Sequence, residues 1–192
     1  MTPPPPASAS SAAAPAATAK VQMPLNLMNW IEQNRSQFKP PVGNKYLYDG
    51  EDFFVMIIGG PNARNDFHVT NSEEFFHQIK GDIVVRVREE GEVRDIPVRE
   101  GETLFIPGNV PHSPQRGPGT IGLVVERRRP AGETEHLVFY CEKCGELVHD
   151  MEFDCKDIVQ HFSRAMEEFW ADEALSTCKA CGTRVTKPAP KS

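Results

Sequence analysis

Ile83-Val84-Val85-Arg86-Val87-Arg88-Glu89-Glu90-Gly91-Glu92-Val93-Arg94-Asp95-Ile96-Pro97-Val98-Arg99 decides the fold class. Ile83, Val85 and Val87 fall on one face, and Val84, Arg86 and Arg88 on the other. That period of two is the signature of a half-buried strand. Glu89-Glu90-Gly91-Glu92 reads as a hairpin loop with Gly at a turn position, and the chain returns over Val93–Arg99. Working outward, Thr103–Ile106, Pro111–Pro114 and Ile121–Glu126 read as further short strands downstream. Upstream lies Glu74–Lys80. Before it, the continuous apolar run Phe53–Ile58, closed by Gly59-Gly60-Pro61-Asn62, reads as a fully buried strand. Many short strands punctuated by Gly and Pro predict an all-β-dominated sandwich or barrel.

Short helices flank the strands. Leu27, Trp30 and Ile31 stand at i, i+3, i+4, and Pro40-Pro41 lies beyond any helix they start. Ile158, Phe162, Ala165, Met166, Phe169 and Trp170 place a longer helix over Asp157–Trp170. Residues 1–20 hold eight Ala, five Pro and three Ser, a composition that predicts a disordered tail. It lacks the basic and apolar regions of a secretory signal and contains no Arg, so the expected location is the cytoplasm. The chain of 192 residues carries 21 Lys and Arg against 27 Asp and Glu, a formal charge of −6, which speaks against a general nucleic-acid footprint. Its longest apolar run, Phe53–Ile58, is far short of the ~20 residues a spanning helix needs. The expected division is a tail over 1–20, a strand-rich core over 21–135, a C-terminal module over 136–185 and a second tail over 186–192.

Three residues in the strand region suggest a metal. Two imidazoles and one carboxylate, His68, His112 and Glu74, form the facial ligand set of non-haem Fe(II) oxygenases, and Zn(II) uses the same donors. Taken singly, each has a plainer reading: a surface histidine after a turn, a solvated glutamate beside Glu73, and a loop histidine among prolines. The surrounding pattern changes this. His68, then Glu74 followed by Gly81, then Gly101, Pro107 and His112 resemble the two motifs of the cupin family, whose fold is a jelly-roll barrel. Thr70 stands where cupins have a second ligand His, and Asn109 and Arg116 replace a usual Gly and Asn.

Longer strings narrow the resemblance. Gly59-Gly60-Pro61-Asn62-Ala63-Arg64-Asn65-Asp66-Phe67-His68, Arg94–Glu102, Leu104–Arg116 and Gly122–Arg127 resemble the 3-hydroxyanthranilate 3,4-dioxygenase family, over roughly Pro24 to Thr183. The resemblance implies an extradiol-type enzyme holding Fe(II) on His68, Glu74 and His112. It would open 3-hydroxyanthranilate with O2 to 2-amino-3-carboxymuconate semialdehyde, which leads to quinolinate and NAD in the kynurenine pathway. It further implies that Arg116 binds the substrate carboxylate, that Arg64 lies near O2, that Glu126 contacts the substrate's polar groups and moves a proton, and that Asn44 lines the pocket. A homodimer is also implied. Without the resemblance, Arg116 reads as a solvated loop charge, and Arg64 and Glu126 as a structural ion pair.

Cys141-Glu142-Lys143-Cys144-Gly145 and Cys178-Lys179-Ala180-Cys181-Gly182 are two knuckles. Paired CxxC turns bring four thiolates onto one ion, Zn or rubredoxin-like Fe, in a structural role. The spacing closes a loop around a segment with little expected core of its own. Cys155 is unpaired and reads as a small buried apolar residue. His77, His136, His149 and His161 read as structural or solvated. Two other function classes fit parts of the sequence. A cupin that only binds a ligand does not need Arg64, Arg116 and Glu126. A zinc ribbon for nucleic acid does not suit residues 141–192, which carry seven Lys and Arg against ten Asp and Glu.

Overall fold

Alternation at 83–88 and the turn after it do produce a hairpin, which forms one edge of a sheet. A computed structural model describes residues 21–155 and 157–190. The tail expected over 1–20, and the last two residues of the tail over 186–192, lie outside the described residues. Along the chain come α1 (Leu27–Asn34), a single 3-10 turn, then β1 (Gly43–Asp49), β2 (Phe53–Gly59), β3 (Asp66–Val69), β4 (Glu74–Lys80), β5 (Ile83–Glu89), β6 (Glu92–Val98), β7 (Thr103–Ile106), β8 (His112–Gln115), β9 (Ile121–Arg127), β10 (Glu135–Tyr140) and β11 (Leu147–Phe153). Two helices follow, α2 (Ile158–Ala171) and the one-turn α3 (Glu173–Ser176). Glu90 and Gly91 join β5 to β6 with φ of 52° and 86°. Left-handed conformations at both positions give the two-residue turn whose twist matches the strands, and Gly adopts it without a Cβ clash.

The strands form two antiparallel sheets. One runs β1-β2-β9-β4-β7 and the other β11-β10-β3-β8-β5-β6. Their inner faces enclose a common interior, as expected of a jelly-roll barrel. Phe76, Val124 and Ile106 from the first sheet meet Val85, Val87, Ile83 and Val98 from the second. The outer face of the first sheet is covered by α1, which buries Ile31 against Ile57 and Ile121. Asn26 caps α1 by accepting from the Asn29 N–H at 3.0 Å.

Four strands, β1, β3, β10 and β11, are additions to the sequence reading. Two of them belong to the C-terminal segment. β10 pairs with β3 and with β11, so the six-stranded sheet continues past residue 135. The helix expected over Asp157–Trp170 is α2, capped by the Asp157 carboxylate on the Val159 N–H at 3.1 Å. Its apolar stripe (Ile158, Phe162, Ala165, Met166, Phe169, Trp170) lies in one cluster with Phe54 and Met56 of β2 and Leu137 and Phe139 of β10. The core that this segment lacks in its own sequence is supplied by the barrel. The polar end of the chain is held as well, because Asn65 Nδ2 donates to the Thr186 carbonyl at 3.1 Å and Lys187 pairs with Glu167.

The shared core gives a stability prediction. Phe169 is fully buried and stacks on Phe139 with ring centroids 3.7 Å apart. Phe169→Ala is expected to cost about 3–5 kcal/mol in urea denaturation, as large-to-small core changes do. A loss under about 1 kcal/mol, the scale of an ordinary surface change, would contradict a core common to α2 and the barrel.

Candidate active site

Strand parity brings the predicted metal ligands together from opposite sheets. On the six-stranded sheet, His68 of β3 and His112 of β8 stand opposite one another in register. On the five-stranded sheet, Glu74 of β4 stands opposite Glu126 of β9. All four side chains face the interior and are at most 3% exposed. Glu74 Oε1 lies 3.1 Å from His68 Nδ1 and 3.3 Å from His112 Nε2.

The outer nitrogens of the two rings are engaged elsewhere. His112 Nδ1 donates to the Val110 carbonyl at 3.0 Å, and His68 Nε2 donates to Glu135 Oε2 at 2.6 Å. This fixes the tautomers so that the inner nitrogens present lone pairs. Glu74 Oε1 is buried and accepts no hydrogen bond. One donor atom from each residue lies within 4.8 Å of the other two. Once His68 gives up its second proton, lone pairs from all three residues converge on one point, so the donor set fits a divalent metal.

The electrostatics agree. Burial pulls the His68 pKa down, but Glu74 and Glu135 outweigh it and raise it to about 10. Burial raises the Glu74 pKa, yet His112 and His68 hold it well below the usual carboxylate range. Glu126 is pushed up to about 7 by burial and by the charge of Glu74. Arg129 spans the group, bonding Glu126 Oε2 at 2.6 Å and pairing with Glu135. The sequence reading passed over Glu135 and Arg129. In Gly132-Glu133-Thr134-Glu135 and Arg127-Arg128-Arg129 they resemble solvated charges. Only the apolar alternation that begins at Leu137 hints that a strand carries Glu135 inward.

Arg64 and Glu126 are not each other's partner. Arg64 forms a two-bond pair with the fully buried Asp66, at 2.9 Å and 2.5 Å. Its guanidinium also lies 5.9 Å from the Phe162 ring, which packs edge-on against His68 at 4.8 Å. Arg116 is no solvated loop charge: it is 1% exposed. Its main chain is pinned to the Asn62 side chain at 2.9 Å, and its Nη1 donates to Gln78 Oε1 at 3.1 Å. Burial and the nearby charge of Arg64 draw its pKa down to about 9, leaving it a cation at neutral pH. Asn44 is half-buried on β1, in register with Ile58. His77 lies on the opposite face of β4 from Glu74, and His136, His149 and His161 lie outside the ligand set, with His136 bonded to Asp150 at 2.7 Å. Cys155 is half-buried, its thiol pushed up by burial and by Glu135.

Four sulfurs form a second cluster. Cys141 and Cys181 are 3.6 Å apart, as are Cys144 and Cys178. Tetrahedral thiolate coordination with bonds near 2.3 Å requires about 3.8 Å between sulfurs, so the cluster fits one ion. The two knuckles repeat one design. Gly145 N–H bonds the Cys141 carbonyl and Gly182 N–H the Cys178 carbonyl, each at 2.8 Å, with φ of 75° and 72°. Thr183 draws the Cys181 thiol down to about 6 through a side-chain hydrogen bond.

A family model described as 3-hydroxyanthranilic acid dioxygenase matches residues 20–170. The chain belongs to the 3-hydroxyanthranilic acid dioxygenase family. That match contains the triad, Arg64, Arg116, Glu126 and Glu135, together with the first cysteine pair. The second pair lies beyond it. Proteins named 3-hydroxyanthranilate 3,4-dioxygenase are 45% identical in Neurospora crassa, over 83% of this chain and 88% of that one, and 48% identical in Meyerozyma guilliermondii, over 83% and 94%. The protein of that name from Xanthomonas euvesicatoria is 44% identical over 88% and 94%. Among solved structures, a cupin-2 domain protein from Shewanella frigidimarina is similar with a TM-score of 0.45 and 15% identity, over 54% of this chain and 94% of that one. No helix among the described residues is long and apolar enough to cross a membrane.

In this family member the triad is expected to take up its metal in competition with a proton. Without metal, His68 is protonated below about pH 10, and a cation must expel that proton. In a cobalt titration of protein whose four-cysteine cluster is already filled with zinc, followed by absorbance between about pH 6 and pH 8, affinity is expected to rise about tenfold per pH unit. An affinity independent of pH over that range would contradict the proton-loaded site.

Proposed function

We propose that the chain is a 3-hydroxyanthranilate 3,4-dioxygenase that holds Fe(II) on His68, Glu74 and His112 and opens the aromatic ring of its substrate with O2. The observation that carries this reading is the inner face of the β4–β9 ladder. Its register pairs Glu74 with Glu126, Phe76 with Val124, and Gln78 with Gly122. The first row supplies carboxylates beside the two histidines. The second is apolar, both residues at most 3% exposed. At the third row sits the Arg116 guanidinium, against Gln78 and Gly122. Metal-binding donors at one end, a flat apolar stretch, and a cation at the other suit an aromatic carboxylic acid with metal-binding substituents.

When bound, the iron supplies the Lewis-acid and redox chemistry that no side chain here provides. The chain's own residues do the rest. Arg116 fixes the substrate carboxylate, for which a guanidinium fork is well matched. Phe76 and Val124 support the ring and, with Phe162 over His68, keep water out. Arg64, held by Asp66, presents oriented N–H donors where oxygen becomes negative, and fixed donors need no reorganisation as the reaction proceeds. Glu126 titrates near neutrality and takes the proton of the substrate hydroxyl. Glu135 holds the His68 ring in orientation. The four cysteines carry iron or zinc in a structural role, closing the chain that bears α2 against the barrel. A homodimer rests on the family resemblance alone, and a cytoplasmic location on the composition of the sequence.

Steady-state oxygen uptake on the iron-loaded protein tests this proposal. His112→Ala is expected to abolish uptake. Arg116→Ala is expected to raise KM for 3-hydroxyanthranilate roughly 10–100-fold, the worth of a charge-assisted hydrogen bond. An Arg116→Ala enzyme with an unchanged KM would sink the carboxylate assignment, and an active His112→Ala enzyme would sink the ligand set.

A further inference from the structure

Three arginine side chains are buried in the barrel, and they are not treated alike. Arg64 is bonded twice to Asp66, and Arg129 is paired with Glu126 and Glu135. Arg116, the most deeply buried of the three, has no carboxylate partner among the described residues; its side chain is bonded to a neutral amide, Gln78. That amide is itself fixed. Gln78 is 1% exposed, and its Nε2 donates to the Lys80 carbonyl at 2.9 Å and the Gly81 carbonyl at 2.8 Å. Turning the amide over would set its oxygen against two carbonyls and its NH2 against a cation, so Oε1 must face Arg116.

The opposite side of the guanidinium is equally specified. Gly122 stands in register with Gln78 on the neighbouring strand. A Cβ there would lie 2.7 Å from Arg116 Nη1, 2.8 Å from Nη2 and 3.0 Å from Gln78 Oε1. Gly122 therefore leaves the space that the guanidinium fills, and Gln78 holds it there without cancelling its charge. A carboxylate at position 78 would reach the same nitrogen and neutralise it, as Asp66 neutralises Arg64, but with its second oxygen against the Lys80 and Gly81 carbonyls that Nε2 now satisfies.

We propose that Gln78 and Gly122 form the specificity-determining cradle of Arg116, positioning the guanidinium while leaving its charge to be satisfied only by a carboxylate on the ligand. Gln78 is thus a positioning residue, and the choice of amide over carboxylate at this position selects ring-carboxylated substrates over uncarboxylated ones. This rests on the reading of Arg116 as the carboxylate-binding cation.

The test compares iron-loaded wild type, Gln78→Glu, Gln78→Met and Gly122→Ala on 3-hydroxyanthranilate and on 2-aminophenol, which lacks the carboxylate. Calorimetric binding of anthranilate to the same preparations without O2 gives a readout independent of turnover. Gln78→Glu is expected to raise KM for 3-hydroxyanthranilate roughly 10–100-fold with a much smaller change in kcat, and to weaken anthranilate binding in proportion. Its loss on 2-aminophenol should be at least about tenfold smaller, so that the preference for the carboxylated substrate collapses. Gln78→Met, which keeps the charge but frees the guanidinium, and Gly122→Ala, which displaces it, should shift the same preference in the same direction by less. If Gln78→Glu does not fold, these two decide the matter. A folded Gln78→Glu enzyme with wild-type KM and anthranilate affinity overturns the proposal. So do equal losses on both substrates in the folded variants, which would mark Gln78 as merely structural. A wild-type protein that shows no preference for the carboxylated substrate overturns the reading of Arg116 itself, and the cradle with it.

Discussion

Charge burial is the constraint on which the rest of this structure depends. Four carboxylates (Asp66, Glu74, Glu126 and Glu135) and three guanidiniums (Arg64, Arg116 and Arg129) have side chains almost closed to solvent. An unpaired ion in such a place costs several kcal/mol, so the set must balance or bind something that balances it. Four negative charges against three positive leave one negative charge while both histidines are neutral. In the metal-free protein a proton on His68 cancels it. On the proposed assignment, a divalent ion in place of that proton would leave one positive charge, and the carboxylate of a bound aromatic acid would cancel it. With Glu126 ionised and the triad holding a metal as proposed, the site would be neutral both when empty and when metal and substrate are bound.

The fold makes this grouping possible through strand parity and little else. Alternate residues of β4 and β9 point inward, so Glu74, Phe76 and Gln78 run along one line and Glu126, Val124 and Gly122 along its neighbour. The histidines arrive from the facing sheet on two four-residue strands in register. A slip of one residue in either sheet would turn the ligands to solvent. The C-terminal segment then closes the arrangement. β10 brings Glu135 to the outer nitrogen of His68, and α2 lays Phe162 across the same ring. The four cysteines come together at the far end of that segment, which runs from their cluster to the packing around His68.

Much of this was legible in the sequence, for definite physical reasons. Residues 83–88 of β5 alternate, because one face is core and the other is partly open to solvent. The α2 stripe repeats at 3.6 residues over four turns. The cysteine knuckles and the His68, Glu74, His112 spacing are local chemistry that survives without a fold. The strands that escaped notice break those patterns. β3, Asp66-Phe67-His68-Val69, places polar residues inward because it lines the site, so it does not look like a buried strand. β11 is half-exposed along its length and reads as neither strand nor helix. Glu135, Arg129, Asp66 and Gln78 went unseen because each is ordinary in its own neighbourhood. The roles of Glu135 and Gln78 arise from long-range pairing, β10 beside β3 and β9 beside β4. Asp66 and Arg129 instead bond near neighbours in the chain, Arg64 and Glu126, whose burial only the fold reveals.

The most direct test of the account is the stoichiometry of the iron-loaded wild type, with oxygen uptake, loss of 3-hydroxyanthranilate and peroxide release measured in the same reaction. A charge-balanced site that delivers both oxygen atoms to the ring predicts one O2 consumed for each substrate molecule lost, a ring-opened product that converts to quinolinate, and no peroxide. Iron-replete protein that consumes no O2, or that releases peroxide while the ring stays intact, would contradict it.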